Sequence, residues 1–419
     1  MQKKISITAV LFVMCILFAG FILSCSRSEK KGDSSPREIV FMTHIAAGEN
    51  SALYKKTQQF MQEHPGVKVT INTVNVNDIL NNFTTAAMAG SGPDIAGLDS
   101  AGWPIDAAAM NTLYPLTKWI EPIKQEYLQG PINAGYYENE YYTLPWYYNN
   151  AALYYNKGLL AKIGAAVPTN WAELESAVQK LTAAGYKGIS TRLDGYAIFI
   201  FFFQAGNPVI DTSGPEPVVT VNNASGKKAW EYYTAFHTKY KAFPEALKEA
   251  TDWDRAYTPF ISGDTGFFIV GDWGYNSFVK NAPNLDFGIA PMPAGDKPAT
   301  ILGGYVLSMN KNTKHPDLAW EYMRFITSKE QDDTLLELGR APARVNADTQ
   351  SLQKINPFYN VFVEQSGVTT ARPAVVNLKE VDQILVDSFK YVLFNQKTPQ
   401  QALDDMEKQL KEFVERNKN

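Results

Sequence analysis

Cysteine is almost absent from this chain of 419 residues, since only Cys15 and Cys25 occur. Cys15 lies in an apolar N-terminal segment, so a chain that loses this segment keeps one thiol, too few for an internal disulfide or a Cys-based metal site. The four histidines are scattered, and the sequence has neither calcium-loop spacing nor a phosphate-binding glycine loop. We therefore expect a core held together by packing alone, with no cofactor and no metal.

Positive charge is not in excess either, because 39 Lys and Arg stand against 43 Asp and Glu, a formal net charge of −4. This balance argues against nucleic acid and against an anionic lipid surface as partners. Long apolar runs are missing beyond the N-terminus, and the segment 197–205 is too short to span a membrane and predicts buried core. No Gly-x-Ser-x-Gly or His-Glu-x-x-His motif is present. The sequence thus has no recognisable catalytic motif.

The N-terminus combines a basic start, an apolar run over 9–23 and a small residue before Cys25, which are the parts of an export signal. A cysteine directly after Leu-Ser resembles the bacterial lipobox, in which it is diacylated and becomes the first mature residue. We expect residues 1–24 to be a lipoprotein signal peptide; an uncleaved membrane anchor is the alternative. The polar segment 25–37 predicts a flexible tether. The protein would then be extracytoplasmic and lipid-anchored to a bacterial membrane, in the periplasm or at the cell surface.

Apolar periodicity from residue 37 onward alternates between strands and helices. The first part predicts strands at 38–43, 67–71 and 94–98, a helix at 51–64 and a second helix that Asp78 caps. This β-α-β-α-β order implies a parallel sheet covered by helices, and hence an α/β fold. The later part predicts strands at 153–156 and 266–270 and helices at 170–184 (opening with capping-box spacing), 226–239, 316–328 and 399–414.

Three ordered blocks of short motifs carry a family resemblance. The first joins Gly-Ser-Gly-Pro-Asp-Ile at 90–95 and Leu-Tyr-Pro-Leu at 113–116. The second joins Tyr-Thr-Leu-Pro-Trp at 142–146, Leu-Tyr-Tyr-Asn-Lys at 153–157 and Val-Pro-Thr-Asn-Trp-Ala-Glu-Leu at 167–174. The third joins Gly-Asp-Trp at 271–273, Ile-Ala-Pro-Met-Pro-Ala-Gly at 289–295, Gly-Gly at 303–304 and Ala-Trp-Glu-Tyr at 319–322. The set resembles the extracellular solute-binding proteins of ABC importers, in particular the group that takes up sugars and oligosaccharides.

The resemblance implies a two-lobe fold of the periplasmic-binding-protein type, with two α/β lobes joined by chain crossings and a ligand cleft between them. Carried over, lobe 1 takes 37–146 with 302–350, and lobe 2 takes 147–301 with 351–419. The periodicity supports two α/β lobes, whereas the crossings come only from the resemblance. The implied partners are a sugar or oligosaccharide ligand and the transmembrane subunits of an ABC permease, with the membrane reached only through the lipid on Cys25. A monomer is expected.

Sugar recognition needs aromatic side chains for the apolar ring faces and carboxylates, amides or Arg for the hydroxyls, because unpaired buried polar groups are costly. The resemblance places a stacking aromatic at Trp273, with Tyr275 as its companion, and a polar hydroxyl partner at Asn149. Asp194 and Tyr196 match a family loop that supplies a carboxylate and an aromatic. For any of the aromatic residues the alternative is a place in the core, since aromatics favour strands.

Further candidates follow predicted strands. Asp99 and Trp103 lie just past the strand at 94–98, at the end where open α/β sheets usually bind ligands. Gly303 and Gly304 would either let the backbone approach the ligand or form a hinge turn. The last candidates are Arg344, for which a surface salt bridge is the alternative, and His44 and Glu49, which follow the first strand.

Three functions remain open at this point. The leading interpretation is a non-catalytic binding protein that delivers a sugar or oligosaccharide to a membrane permease. A binding protein for another solute, such as a polyamine, is the second, because several carboxylates among aromatic residues would also suit a polyamine. A secreted glycoside hydrolase is the third, since it would also use aromatic residues and paired carboxylates.

Overall fold

The computed structural model describes residues 37–250 and 252–417. The predicted signal peptide, Cys25 and the tether up to residue 36 lie outside the described residues. Over the part that is described, no helix has both the length and the apolar character needed to cross a membrane.

Strands and helices alternate along the chain. The strands are β1 (Arg37–Thr43), β2 (Val67–Thr73), β3 (Ile95–Asp99), β4 (Tyr136–Tyr137), β5 (Glu140–Tyr141), β6 (Thr143–Asn156), β7 (Lys187–Ser190), β8 (Ile210–Asp211), β9 (Val218–Val219), β10 (Thr265–Gly271), β11 (Phe287–Ala290), β12 (Thr300–Met309), β13 (Ala341–Pro342) and β14 (Thr369–Thr370).

The helices are α1 (Ala52–Glu63), α2 (Ile79–Met88), α3 (Trp103–Ala109), α4 (Thr117–Ile120), α5 (Gln129–Asn133), α6 (Lys157–Lys162), α7 (Trp171–Ala183), α8 (Gly195–Gln204), α9 (Ala224–Thr238), α10 (Trp253–Ile261), α11 (Trp273–Asn281), α12 (Pro316–Ile326), α13 (Asp333–Leu336), α14 (Gln350–Ile355), α15 (Tyr359–Glu364), α16 (Leu378–Leu393) and α17 (Pro399–Arg416).

One mixed sheet runs through the molecule in the order β2-β1-β3-β12-β6-β10-β7. The predicted parallel order is confirmed for β2, β1 and β3. β12 is antiparallel to both β3 and β6, and β6 is antiparallel to β10 and β11. The strand predicted at 153–156 is the end of a strand of 14 residues, and its first part pairs with β12 while its last part pairs with β10. Two long strands therefore tie the halves of the sheet together.

The buried core divides into two lobes. The first lobe packs around Phe41, Phe60 and Tyr322 on one face of its sheet and around Phe83 and Leu98 on the other. The second lobe has one continuous core that includes the aromatic residues of α8 and α9, among them Phe199, Phe201, Phe202, Phe203, Trp230 and Tyr233. Each lobe thus buries its own apolar side chains, and a cleft can form where the chain passes between them.

The chain passes between the two cores at three places. Along β6 the core changes between Tyr147 and Tyr148, and along β12 it changes between Leu302 and Tyr305. The third passage lies just before Ala341, because Ala341 and Ala343 both pack in the second core. The predicted bounds instead assign the whole segment 302–350 to lobe 1. The lobe bounds remain a prediction, and the passages show where a hinge between the cores would lie.

Local signals in the sequence agree with most element starts. Ser51 caps α1, because its side chain accepts from the backbone N–H of Tyr54. Asp78 stands at the start of α2, but its side chain makes no capping hydrogen bond. Asn170 caps α7 by accepting from Glu173 N, whereas the Glu173 carboxylate accepts from Thr169 N at 2.8 Å. The predicted capping box is therefore only half formed. The segment 197–205 lies almost entirely in α8, whose ten residues are all buried.

Candidate functional site

Charged side chains meet between the two lobes. We call the interlobe cluster the four carboxylates and three arginines that lie there: Asp99, Asp194, Asp272, Asp382, Arg192, Arg340 and Arg372. Asp99 ends β3 of the first lobe, Asp194 precedes α8, Asp272 joins β10 to α11, and Asp382 lies in α16. Four separate elements thus bring carboxylates to one region, and the site spans both lobes.

The Asp272–Arg340 pair is the most buried ion pair of the cluster. Arg340 Nη1 lies 2.6 Å from Asp272 Oδ1, and the Asp272 side chain is 1 % exposed. Burial raises the pKa of Asp272 to about 6, although the Arg340 charge opposes the shift. The Arg340 guanidinium also lies 5.9 Å from the ring centres of Tyr147 and Trp273. Arg340 therefore links a carboxylate of the second lobe to aromatic residues on both sides of the cleft.

Two more ion pairs stand beside it in the second lobe. Arg192 Nε lies 3.0 Å from Asp194 Oδ2, and its guanidinium lies 4.9 Å from the ring centre of Trp253. Arg372 Nη1 lies 3.2 Å from Asp382 Oδ2. Burial raises the pKa of Asp382 to about 6; Arg372 opposes this shift, while the charges of Asp194 and Asp99 add to it. These interactions place the carboxylates of Asp99, Asp194 and Asp382 close together.

Asp99 is the contribution of the first lobe to this group. Its Oδ1 accepts from the backbone N–H of Ala101 at 2.8 Å. Burial raises the pKa of Asp99, and the charges of Arg372 and Arg192 partly counteract the shift. Asp99 thus interacts electrostatically with two arginines of the other lobe from the carboxyl end of a parallel strand, where open α/β sheets usually bind ligands.

His44 extends the site along the first lobe. Its Nε2 lies 3.1 Å from the Tyr147 hydroxyl, and its ring centre lies 4.1 Å from that of Tyr305. Burial lowers the pKa of His44 to about 4, and the nearby Arg340 charge lowers it further. The imidazole is therefore neutral at pH 7, and a neutral ring offers one donor and one acceptor.

Several buried polar atoms of this region have no hydrogen-bond partner among the described residues. They are His44 Nδ1, Tyr196 Oη, Asp382 Oδ1 and Arg372 Nε. Native structures pair the great majority of such atoms, so each unpaired one needs an explanation. Arg372 Nε can only donate a hydrogen bond and an ionised Asp382 Oδ1 can only accept one, whereas the Tyr196 hydroxyl can donate or accept. A ligand whose groups both donate and accept hydrogen bonds would satisfy all of them.

Trp273 forms the aromatic wall of the second lobe. It begins α11 and is half-buried, with its ring edge-on to Tyr196 at 5.7 Å and to Trp253 at 5.4 Å between centroids. A Cβ added to Gly271 would lie 1.9 Å from the Trp273 ring. Glycine at that position therefore leaves the room that the indole occupies.

The structure brings together several of the predicted residues: His44, Asp99, Asp194, Tyr196 and Trp273 all belong to the cluster or touch it. Trp103 reaches it through Tyr305, with ring centres 6.4 Å apart. Asn149 lies opposite Gly303 on β12, where a Cβ on the glycine would come within 2.4 Å of Asn149 Oδ1. Gly304 has φ +131°, and a Cβ there would lie 2.3 Å from Tyr147 O. Both glycines therefore permit close strand pairing at the crossing.

Other predicted residues lie elsewhere. Tyr275 packs against Phe287 and Phe358 instead of the cluster. Arg344 forms an ion pair with Asp332, and both side chains are largely buried. Glu49 is exposed in a turn before α1, and within residues 37–250 and 252–417 it forms no hydrogen bond or ion pair with the cluster. The contacts of these three residues thus lie outside the cluster, and their contact with a ligand stays a prediction.

The sequence analysis does not select five members of the interlobe cluster: Arg340, Asp272, Arg192, Arg372 and Asp382. Asp272 stands inside the Gly-Asp-Trp motif, beside the chosen Trp273, and Arg340 precedes the chosen Arg344 by four residues. Asp272 and Arg340 could therefore have been found from the sequence, because each lies close to a residue that was selected. Asp382 is one acidic residue among several on the amphipathic α16, and nothing local distinguishes it.

A cavity of about 410 Å³ adjoins the cluster. Its lining comes from both lobes and includes Ser100, Ile105, Gln129, Ile210, Arg372 and Leu378. Arg372 therefore borders both the cavity and the cluster. A more open depression of about 480 Å³ lies on the outer surface between α1 and α13 and shares no residue with the cluster. No three His, Cys, Asp or Glu side chains of the described ranges are grouped in a way that could hold a metal ion.

Comparison with known proteins places this geometry in context. Residues 46–333 match the family model described as bacterial extracellular solute-binding protein. An arabinooligosaccharide-binding protein of Bacillus subtilis is 24 % identical, with 97 % of this chain and 99 % of the relative covered. A protein of the same description from Halalkalibacterium halodurans is 23 % identical, with 91 % and 89 % covered.

Solved structures share the two-lobe fold. Maltose-bound MalE3 of T. maritima is 25 % identical and superposes with a TM-score of 0.75, covering 90 % of this chain and 99 % of that one. The GacH receptor of Streptomyces glaucescens, solved unliganded and with acarbose, is 23 % identical with a TM-score of 0.76, covering 90 % and 98 %. The predicted two-lobe α/β fold is thereby confirmed.

Proposed function

The chain belongs to the bacterial extracellular solute-binding proteins, and from this membership we propose that it is a non-catalytic receptor of an ABC importer. It binds a sugar or oligosaccharide between its lobes and delivers it to the transmembrane permease. The names of its relatives, which include arabinooligosaccharide-binding proteins and a maltose-bound structure, support this ligand class.

The unpaired polar atoms of the cleft carry the proposal. Each sugar hydroxyl both donates and accepts, so hydroxyls can pair with Arg372 Nε and Asp382 Oδ1 alike, while Tyr196 Oη takes either role. A polyamine offers only donors and would leave Arg372 Nε unpaired, at a cost of about 1–3 kcal/mol. We assign Trp273 to a sugar ring face, and Asp99, Asp194 and Tyr196 to its hydroxyls.

Hydrolysis is less well supported by the same geometry. A glycoside hydrolase needs one carboxylic acid and one free carboxylate that flank the bond, about 5–9.5 Å apart. In the cluster Asp194, Asp272 and Asp382 each stand in an ion pair with an arginine. Within residues 37–250 and 252–417 only Asp99 of the four carboxylates has no ion pair, so the cluster offers no two free carboxyl groups for this chemistry.

A thermal-shift panel tests the ligand class. Maltotriose and arabinotriose represent the sugars, spermidine represents the polyamines, and each is added to the mature protein at rising concentration. We expect a sugar to raise the melting temperature, since a ligand at a hundred times its Kd stabilises the folded state by about 2.7 kcal/mol. Spermidine is expected to have no effect.

Two variants make the panel specific. Arg372→Met should abolish the sugar-induced shift, whereas Arg255→Met, the same change at an arginine with a 64 % exposed side chain, should keep it. A shift with spermidine alone would contradict the proposal in favour of a polyamine receptor. Release of reducing ends at a rate proportional to the protein concentration would instead indicate a hydrolase.

We also propose that the receptor is a monomer held at the membrane by a lipid on Cys25, with the segment up to residue 36 as the tether. The Leu-Ser-Cys motif and the extracellular family support this location. Metabolic labelling with a fatty-acid analogue should mark the wild type and leave Cys25→Ala unlabelled. Equal labelling of both proteins would argue against the anchor.

A further inference from the structure

A second contact between the lobes lies outside the interlobe cluster. The carboxylate of Asp106, on α3, accepts the backbone N–H of Asn377 at the start of α16. Asp106 is 6 % exposed. Its neighbours Ala107 and Ala108 pack in the first lobe, whereas Leu378 and Val381 pack in the second. The hydrogen bond therefore joins the two lobes.

The start of α16 lacks a cap from its own sequence. Asn377 has φ +61° and its side chain makes no capping hydrogen bond. Its amide nitrogen donates to Glu380 Oε2 at 2.8 Å. The first backbone N–H groups of a helix need an acceptor, and the positive end of its dipole favours a negative charge. The Asp106 carboxylate, which belongs to the opposite lobe, supplies the acceptor and the negative charge to this helix of 16 residues.

A close backbone approach accompanies this hydrogen bond. Gly102, at the start of α3, has φ +84°, and a Cβ added there would lie 2.8 Å from Leu378 Cβ. Any other residue at position 102 would push the two elements apart. The contact thus rests on shape as well as on charge, at the edge of the 410 Å³ cavity that Gly102 and Leu378 both line.

The same elements carry the ligand site. Asp99 precedes Gly102 by three residues on one side, and Asp382 follows Leu378 by four residues, about one helical turn, on the other. A hinge motion that parts Asp106 from Asn377 must also part Asp99 from Arg372 and Asp382. The contact and the ligand site therefore open and close together.

We propose that Asp106 is a latch residue, which stabilises the closed form by capping α16 across the cleft and thereby sets ligand affinity without touching the ligand. This inference rests on the proposed function, because it assumes that the bound sugar favours the closed form. A ligand gains affinity when the closed form is favoured beforehand. Asp106 is a positioning residue, and its loss should act on closure alone.

Titration of maltotriose measures the affinity effect. Asp106→Ala should weaken binding about tenfold, the size of one charge-assisted hydrogen bond, and Asp106→Asn should restore part of it because its amide oxygen still accepts. The melting temperature of the unliganded protein should stay unchanged, since the open form lacks the contact. A structural residue would instead lower that temperature. Asp78→Ala, an aspartate without a capping hydrogen bond in the same lobe, is the matched control and should change neither quantity.

A second measurement needs no sugar. In a Cys25→Ser background, spin labels on Met88→Cys and Val218→Cys, two exposed positions in different lobes, report the closed fraction through the distance distribution that pulsed EPR measures. Adding Asp106→Ala should lower that fraction about tenfold, and an unchanged distribution would overturn the latch. If maltotriose does not bind but the closed fraction still falls, the latch stands and the proposed ligand class fails.

Discussion

Replacement of Arg340 with alanine is expected to lower the free energy of unfolding by about 3–5 kcal/mol at pH 7.5, because it leaves the buried carboxylate of Asp272 without its partner. The measurement is a urea melt of the unliganded protein. Arg255→Ala, at an exposed arginine with a surface ion pair, is the matched control and should change stability by less than about 1 kcal/mol.

The pH dependence of this loss identifies its cause. The pKa of Asp272 is raised to about 6 in the folded protein, and removing Arg340 raises it further. A carboxyl whose pKa is raised on folding destabilises the protein fully above its folded pKa, and the penalty shrinks as the pH falls from the folded pKa toward the unfolded one. The loss in Arg340→Ala should therefore be clearly smaller at pH 5 than at pH 7.5.

A double variant separates the effect of charge from the effect of packing. Asp272→Asn with Arg340→Met removes both charges, and replacing a buried ion pair by neutral groups often costs little. We expect it to recover much of the stability that Arg340→Ala loses. A loss that does not vary with pH, or one that the double variant deepens, would show that Arg340 acts through packing and not through charge.

Replacement of Trp273 with alanine is expected to weaken sugar binding roughly thirtyfold, about 2 kcal/mol, as loss of an aromatic binding hot spot does. Its ring makes edge contacts to Tyr196 and Trp253 and is half-buried. The free energy of unfolding should therefore fall by less than the 3–5 kcal/mol typical of a fully buried tryptophan. Calorimetric titration with the sugar found in the panel measures the affinity, and a urea melt measures the stability.

Trp119 provides the matched tryptophan. It is also partly buried and stacks on Trp320 with ring centres 5.3 Å apart, in the first lobe and outside the cluster. Trp119→Ala should leave the affinity unchanged. If Trp273→Ala keeps full affinity and loses several kcal/mol of stability, then Trp273 is a packing residue and the ring face is bound elsewhere.

Much of the local structure was predictable because it depends on neighbours along the chain. The helix at 51–64 was read from apolar residues at i, i+4, i+7 and i+8, and α1 buries Leu53, Thr57 and Phe60 in agreement. The alternation over 67–71 gave β2 in the same way. The predicted bounds of an element were wrong where tertiary contacts extend it. The strand predicted at 153–156 begins at residue 143, because β12 pairs with its first half.

Local periodicity predicted the α/β alternation, and the resemblance of the ordered short motifs predicted the two-lobe family. His44, Asp99, Asp194, Tyr196 and Trp273, which were candidates from the sequence, lie at the interlobe cluster, but their contact with a ligand stays a prediction. The placement of Arg340 in the cluster and of Arg344 outside it, two arginines four residues apart with identical chemistry, depends on the packed fold. Pairing of β13 with Tyr147 and Tyr148 places Arg340 beside Asp272, while Arg344 turns to Asp332. The pairing of charges 68 residues apart, and the burial that shifts their pKa values, exist only once the lobes pack together.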